Sequence, residues 1–143
     1  VNIVPAGYPD SIKVNIYYAN INRGSVNFSD WNRRGTSFNL ENSTLNSVQV
    51  NGTTVKGSVN IRNNNFNSSS FSCYYCNYYD AGKGEFTATG NKFNESSQLR
   101  ISGGTKFKKV TIDDNEFNKN SSGLNLQPDA NWSWKRNKDN QGY

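Results

Sequence analysis

Two adjacent aspartates are the side chains with the clearest potential for chemistry. Asp113 and Asp114 follow an apolar-x-apolar segment, and Lys135 and Arg136 stand at the matching place in the next repeat of the chain. Glycoside hydrolysis usually needs two carboxylates held about 5 to 10 Å apart, so the pair and Arg136 form a candidate catalytic site. The same carboxylates suit Ca²⁺, or a salt bridge to Lys135 or Arg136. Because the chain contains no His, it has no His-based triad or His metal site.

The segment 71–80 offers a second kind of chemistry. Its tyrosines are Tyr74, Tyr75, Tyr78 and Tyr79. A Tyr ring stacks on sugar faces and its hydroxyl hydrogen-bonds, so the segment predicts a ligand-binding loop that bulges from the fold. The alternatives are a packed lateral loop and a subunit contact.

The same segment contains a C-x-x-C pair, Cys73 and Cys76. Two cysteines lack the four ligands of a structural zinc site, and no thioredoxin-like βαβ pattern surrounds them. The favoured interpretation is a local disulfide in an extracellular protein, followed by two free thiols. No metal and no cofactor are predicted for the chain.

The composition is rich in Asn and poor in apolar residues. The 143 residues suffice for one domain, about one residue in six is Asn, and hydrophobic residues make up 33%. A compact sphere would bury too little apolar surface, which leaves a disordered polar chain or a repeat protein with a thin core. Aromatic residues at 13% and the regular spacing of apolar residues favour the repeat protein.

One motif recurs along the chain: an apolar-x-apolar segment, a polar turn, and a large apolar residue followed by Asn. The copies are Val14-Asn15-Ile16 with Ile21-Asn22, Phe38-Asn39-Leu40 with Leu45-Asn46, Val59-Asn60-Ile61 with Phe66-Asn67, Phe86-Thr87-Ala88 with Phe93-Asn94, and Val110-Thr111-Ile112 with Phe117-Asn118. A partial sixth copy begins at Trp132-Ser133-Trp134 and reaches Asn137. The starts are 24, 21, 27, 24 and 22 residues apart.

Alternation with period two marks the opening of each copy as a short strand. Most copies contain a second strand-like piece, and helical periodicity is absent. The sequence therefore predicts an all-β fold, a parallel β-helix of about six coils of 21 to 27 residues forming one domain over 1–143. The apolar-x-apolar residues form one inner row, and the large residues before Asn form a second, in which three Phe stack across coils.

Asn is expected to play a structural role in the turns. The position two before the second inner row reads Ala19, Ser43, Asn64, Asn91, Asn115 and Asn137. Asn in register across coils predicts a ladder of amide hydrogen bonds, in a turn whose left-handed backbone Asn tolerates. The outward strand row reads Asn15, Asn39, Asn60, Thr87, Thr111 and Ser133. This row is either ordinary solvent-facing surface or a stripe that hydrogen-bonds to sugar, with Asn60, Thr87 and Thr111 as candidate ligands.

The pattern apolar-x-apolar-x-x-Asn-x-Phe, seen from Val59 to Phe66 and from Val110 to Phe117, resembles the right-handed β-helices of the pectate-lyase-like superfamily. The resemblance covers about residues 14–137. It implies right-handed coils and contact with carbohydrate, as in polysaccharide lyases and hydrolases, phage tailspikes or fibres, and surface adhesins. It specifies fold better than function.

Three functions follow as hypotheses. The first is an extracellular or virion-surface module that recognises a polysaccharide or other glycan; the second is a polysaccharide lyase or hydrolase; the third is a structural subunit of a filament or virion. No capping helix is evident at either end, so we expect a homo-oligomer, such as a trimer, or a neighbouring domain to cover the ends. The net charge of +5 suits a solvated surface or an anionic partner. No nucleic-acid motif and no membrane span are evident.

Overall fold

The computed structural model describes residues 2–3, 12–29, 36–77, 83–102, 105–124 and 132–139. These ranges contain β-strands and turns and no helix. The strands are β1 (Asn2–Ile3), β2 (Ile12–Tyr17), β3 (Asn20–Ser29), β4 (Thr36–Glu41), β5 (Thr44–Thr53), β6 (Val59–Arg62), β7 (Asn65–Asn67), β8 (Ser70–Tyr74), β9 (Glu85–Thr89), β10 (Lys92–Asn94), β11 (Gln98–Ser102), β12 (Lys109–Asp113), β13 (Glu116–Phe117), β14 (Ser122–Leu124), β15 (Trp132–Lys135) and β16 (Lys138–Asp139).

All strand pairs in the described ranges are parallel, and each strand pairs with its counterpart in the next coil. The first face stacks β2, β4, β6, β9, β12 and β15. The second face stacks the first halves of β3 and β5 on β7, β10, β13 and β16. The third face stacks β1, the second halves of β3 and β5, β8, β11 and β14. The predicted parallel β-helix is thus confirmed, with six rungs on the first face.

The core includes the two predicted inner rows and a further row on the third face. Phe38, Leu40, Ile61, Phe86 and Ile112 of the first face are fully buried. On the second face the ring centroids of Phe66 and Phe93 lie 4.7 Å apart and those of Phe93 and Phe117 4.9 Å apart, with planes within 7°. The predicted Phe stack is therefore present, and burial of each ring contributes roughly 2–3 kcal/mol.

The last described rung is less enclosed than the coils before it. Trp134 stacks on Phe117 at 5.7 Å but remains 39% exposed. Val14, Ile16 and Ile21 of the first rung are only partly buried. These residues were predicted as core, and they have a rung on one side only within the described ranges.

The predicted Asn ladder lies at the corner between the first and second faces. The Nδ2 of Asn64 donates to Oδ1 of Asn91 at 3.0 Å, and Asn91 repeats this bond to Asn115 at 2.9 Å. Each Oδ1 also accepts the backbone N–H of the ladder residue in the preceding coil, and each Nδ2 reaches a carbonyl of that coil, as Asn91 does at Ile61. Asn137 ends the described series below Asn115.

One detail of the ladder differs from the prediction. The left-handed residue is the one before each ladder position, and the ladder Asn itself has ordinary backbone geometry. The left-handed residues of this corner are Tyr18, Asn42, Asn63, Gly90, Asp114 and Arg136. The turn therefore tolerates several residue types at the strained position, because the ladder bonds of the following residue offset its cost of roughly 1–2 kcal/mol.

A second ladder, which the sequence pattern did not reveal, holds the corner between the second and third faces. The Oγ of Ser97 accepts the N–H of Ser69, and the Oγ of Ser121 accepts the N–H of Ser97, both at 3.0 Å. Ser69 in turn accepts from the N–H of Val48 at 2.9 Å. Here too each ladder Ser follows a left-handed residue, Ser68, Ser96 or Asn120.

Candidate functional site

The C-x-x-C segment forms part of the coil wall and is not a bulge. Residues Ser70–Tyr74 form β8, and Cys73 and Cys76 are both fully buried. The structure has both cysteines as free thiols, in contrast to the predicted disulfide. Burial and a hydrogen bond with Cys76 raise the pKa of the Cys73 thiol well above its ordinary value. The alternation of β8 points the Cys73 side chain into the core, where it packs with apolar residues.

The tyrosines are only partly described. Tyr74 and Tyr75 are 47% and 38% exposed, and their rings meet edge-on with centroids 4.4 Å apart. The hydrogen bond with Tyr74 raises the pKa of the Tyr75 phenol. Tyr78 and Tyr79 lie outside the described residues. The predicted aromatic surface is therefore seen at two of its four rings, on the outside of the third face.

The aspartate pair separates into two different environments. Asp113 is buried, and its Oδ1 accepts from the hydroxyl of Ser133 and the backbone N–H of Lys135, both at 2.8 Å. Asp114 is half exposed and forms a two-bond pair with Arg136, with Nε–Oδ1 at 2.6 Å and Nη2–Oδ2 at 2.7 Å. The Arg136 guanidinium lowers the pKa of Asp114. Both carboxylates thus have protein donors, and Asp114 forms the salt bridge to Arg136 that the sequence allowed.

The predicted stripe lies on the outside of the first face in the expected register. Asn60, Thr87 and Thr111 align in successive strands. In its upper part, Asn60 donates to Asn39 at 2.8 Å and Asn39 donates to Asn15 at 2.7 Å. Asn39 is consequently only 6% exposed, although the sequence placed it in the open stripe.

A longer polar row, not predicted as a site, runs down the second face. The Asn that follows each large apolar residue projects outward and donates its amide to the Asn above it. These bonds are Asn46 to Asn22 at 2.7 Å, Asn67 to Asn46 at 2.8 Å, Asn94 to Asn67 at 3.1 Å and Asn118 to Asn94 at 3.1 Å. We call these five residues the outer Asn row. The recurring Asn was visible in the repeat, but its outward direction was not used to assign a ligand surface.

The lower end of the outer Asn row borders a shallow, open concavity. Its lining residues are Asn67, Asn94, Glu95, Glu116, Asn118 and Lys119. Glu116 accepts from the amide of Asn118 at 2.9 Å, and Glu95 accepts weakly from Ser68 at 3.5 Å. Coils four and five carry one extra left-handed residue in the turn after the row, Glu95 or Lys119, and both residues line the concavity. Amides, two carboxylates and an ammonium group thus face one depression.

Within the described residues, no group of three or more Cys, Asp or Glu side chains is arranged to hold a metal ion. None of the described segments forms a helix long and apolar enough to span a membrane. Comparisons with protein-family models, with curated proteins and with solved structures find no match.

Proposed function

We propose that this chain is an extracellular or virion-surface β-helical module that recognises a polysaccharide through the outer Asn row and the adjoining concavity. We also propose that the chain is a right-handed, pectate-lyase-like β-helix of tailspike or adhesin type. This part of the proposal rests on the motif resemblance. The observation that carries the proposal is the alignment of five Asn amides with a depression lined by both donors and acceptors.

The chemistry of the row suits a polymer of sugars. Sugar hydroxyls donate and accept, and each Asn offers two amide hydrogens and two carbonyl lone pairs. The bonds along the row use one hydrogen and one lone pair of Asn67 and of Asn94. The remaining amide hydrogens and carbonyl lone pairs repeat along the row at the strand spacing of about 4.8 Å. A linear polymer therefore meets a repeated set of hydrogen-bonding partners.

Preorganisation is the second support. The row bonds fix each amide before a ligand arrives, so little side-chain entropy is lost on binding. The outer stripe of the first face is less suitable in its upper part, because Asn39 is buried there. Its lower hydroxyls, Thr87 and Thr111, extend the proposed surface around the rod.

The proposal is tested by binding to a panel of purified neutral and acidic polysaccharides, followed by calorimetry on those that bind. Asn94→Ala and Glu116→Gln should each weaken binding about fivefold, since each removes roughly 1 kcal/mol of hydrogen bonding. The matched control is Asn51→Ala, which breaks an outward Asn–Asn bond to Asn27 at 2.9 Å on the third face. Equal losses in all three variants, or no binding to any polysaccharide, would contradict the proposal.

The same panel tests the enzymatic alternative. Glu95 and Glu116 line one depression, and paired carboxylates are the groups that glycoside hydrolysis uses. Reducing ends released by the unmodified protein, and absent with Glu116→Gln, would indicate a hydrolase. Release that depends on Asp114 and not on Glu116 would instead indicate the aspartate site.

A further inference from the structure

The outer Asn row has a second column of outward side chains beside it. In each strand of the second face, the residue two before the row Asn also points outward, because an inward apolar residue such as Phe66 or Phe93 lies between them. The second column stays in register from coil to coil and consists of Asn20, Thr44, Asn65, Lys92 and Glu116. The two columns are about 7 Å apart by the rise of a strand, and we call them together the second-face strip.

The second-face strip runs straight along the rod. Successive amides of the outer Asn row are joined by bonds of 2.7, 2.8, 3.1 and 3.1 Å, which places each Asn directly below the one before it. Each coil therefore adds one unit to the strip, at about 4.8 Å per coil. From Asn22 to Asn118 the strip is about 19 Å long by that spacing, which is room for roughly four or five sugars.

The repeat of the strip matches one kind of sugar chain. When sugar rings are joined 1,4 through equatorial bonds, the chain is an extended ribbon that advances by nearly one coil spacing per ring and carries equatorial hydroxyls along its edges. Each ring then meets the amides of one coil, such as Asn67 or Asn94, which each keep one amide hydrogen and one carbonyl lone pair outside the row bonds. Chains that curve or are flexible would leave the strip or lose more conformational entropy on binding.

The side chains of the strip also favour an uncharged ligand. The outward residues of its upper three coils are uncharged: Asn20, Asn22, Thr44, Asn46, Asn65 and Asn67. Below them, Lys92 and Glu116 lie in register and have opposite charges. A polymer with an acid on every sugar would meet one cation in the two columns and would desolvate its other acids without a partner. Neither column contains an aromatic ring, so the strip offers hydrogen bonds to the edge of a sugar ring and no stacking on its face.

We infer that the ligand of the second-face strip is a neutral, extended polysaccharide of 1,4-linked sugars with equatorial bonds, bound lengthwise along the rod with about one sugar per coil. This inference rests on the proposed function, because it concerns the same site, and it adds the linkage, the charge and the direction of the polymer. The lower end of the strip borders the concavity, where Glu95 and Lys119 offer further hydrogen-bonding groups.

Calorimetry with matched hexasaccharides tests the linkage and the charge. The probes are cellohexaose, xylohexaose and mannohexaose as extended neutral chains, maltohexaose as a curved neutral chain, and hexagalacturonate as an acidic chain. We expect an extended neutral probe to bind about tenfold tighter than both maltohexaose and hexagalacturonate, because its rings bond to several coils at once. Its affinity should rise about fivefold with each sugar up to about five and then level off, since each sugar adds hydrogen bonds to one coil.

Variants in different coils test the direction of the polymer. Asn46 and Asn94 are two coils apart in the row, and Asn46→Ala and Asn94→Ala should each weaken binding of the hexasaccharide about fivefold. The matched control, Asn51→Ala, removes an outward Asn–Asn bond on the third face and should leave binding unchanged. Thermal unfolding verifies that each variant is folded, and the series of sugar lengths needs no variant.

The outcomes separate this inference from the proposed function. If polysaccharides bind and require Asn94, but maltohexaose binds as tightly as the extended probes, the proposed function stands and the linkage is wrong. Tightest binding of hexagalacturonate would overturn the neutral class. Unchanged hexasaccharide binding by Asn46→Ala, together with a loss in Asn94→Ala, would show a polymer that crosses the rod and would overturn the lengthwise direction. Absence of binding to every polysaccharide would overturn both proposals.

Discussion

Cys76 and Ser69 occupy equivalent places at two corners of the same coil. The Sγ of Cys76 lies 3.8 Å from the carbonyl oxygen of Gly52 in the preceding coil and 3.9 Å from that of Tyr74. The Oγ of Ser69 donates to the matching carbonyls, Leu45 at 3.1 Å and Asn67 at 2.8 Å. The backbone N–H of Cys76 donates to the hydroxyl of Thr105 at 3.2 Å, as the N–H of Ser69 does to Ser97. Cys76 is therefore a ladder residue at the corner between the third and first faces.

This equivalence predicts opposite outcomes for two similar substitutions. Cys76→Ser should change the free energy of unfolding by less than about 1 kcal/mol, since the hydroxyl finds the carbonyls of Gly52 and Tyr74. Cys73→Ser should cost about 1–3 kcal/mol, because it places a hydroxyl in an apolar core. Urea denaturation measures both. Equal costs would contradict the ladder role, and so would a mass lower by two hydrogens in the unmodified protein, which would show a disulfide.

Stability at alkaline pH is a separate prediction. Burial raises the pKa of Cys73 above its ordinary value, so the folded protein keeps this proton at a pH where the unfolded chain has lost it. The contribution is fully present below the ordinary thiol pKa and is lost as the pH rises toward the folded-state pKa. Unfolding free energy measured from pH 8 to 10 should fall more steeply for the unmodified protein than for Cys73→Ala. Parallel curves would contradict the prediction.

The pair of Asp114 and Arg136 is expected to contribute little to stability. Both side chains are largely in solvent, where screening weakens an ion pair. Arg136 lowers the pKa of Asp114, so any contribution is present above the ordinary carboxyl pKa and is lost as the pH falls through the folded value. Asp114→Asn should shift the unfolding midpoint only slightly at neutral pH, and added salt should remove the shift. A large shift that persists in salt would show that the pair is structural.

The two inner rows and the Asn ladder were predictable because each depends on residues at a fixed spacing within a coil. The spacing between the first face and the second row is constant, so Phe66 and Phe93 could be aligned from the sequence alone. The third face was harder, since the corner before each new coil varies in length. On the third face Val26 pairs with Val50. Val48 lies two residues earlier, at the corner between the second and third faces, where its backbone N–H donates to the Oγ of Ser69.

The candidate site was harder to predict for a different reason. In a sequence, an outward Asn row that borders a depression looks the same as any other outward Asn row. Only the fold shows which rows border a depression. The extra turn residues Glu95 and Lys119 line that depression, yet as single insertions they do not disturb the repeat. The Cys segment was mispredicted because its unusual composition suggested a loop. In the structure, Ser70–Tyr74 form a regular strand.

Gly52 is predicted to be required by the ring of Phe28. Gly52 lies in register between Phe28 and Cys73, and a Cβ placed there would stand 2.6 and 2.7 Å from two ring carbons of Phe28. That ring cannot withdraw easily, since it stacks on Phe38 with centroids 3.9 Å apart. Gly52→Ala should therefore cost about 1–3 kcal/mol.

The double variant Phe28→Leu/Gly52→Ala provides the control for this clash. The smaller Leu makes room for the new methyl group, so the double variant should cost less than the two single changes added together. Additive costs in urea denaturation would contradict the clash between the new methyl group and the Phe28 ring.

Asn91 should be the most sensitive polar residue of the ladder. Its Oδ1 accepts from the N–H and the Nδ2 of Asn64, while its Nδ2 donates to Ile61 O and to Asn115 Oδ1. Asn91→Ala leaves these groups buried without partners, at roughly 1–3 kcal/mol for each. Asn91→Asp should be at least as damaging, because a carboxylate cannot donate to Ile61 O and lies beside the oxygen of Asn115. Asn94→Ala, three residues later on the outside, removes the same side chain from a half-exposed position and should cost less than about 1 kcal/mol. Similar unfolding midpoints for the Asn91 and Asn94 variants would mean that the inner ladder does not hold the coils together.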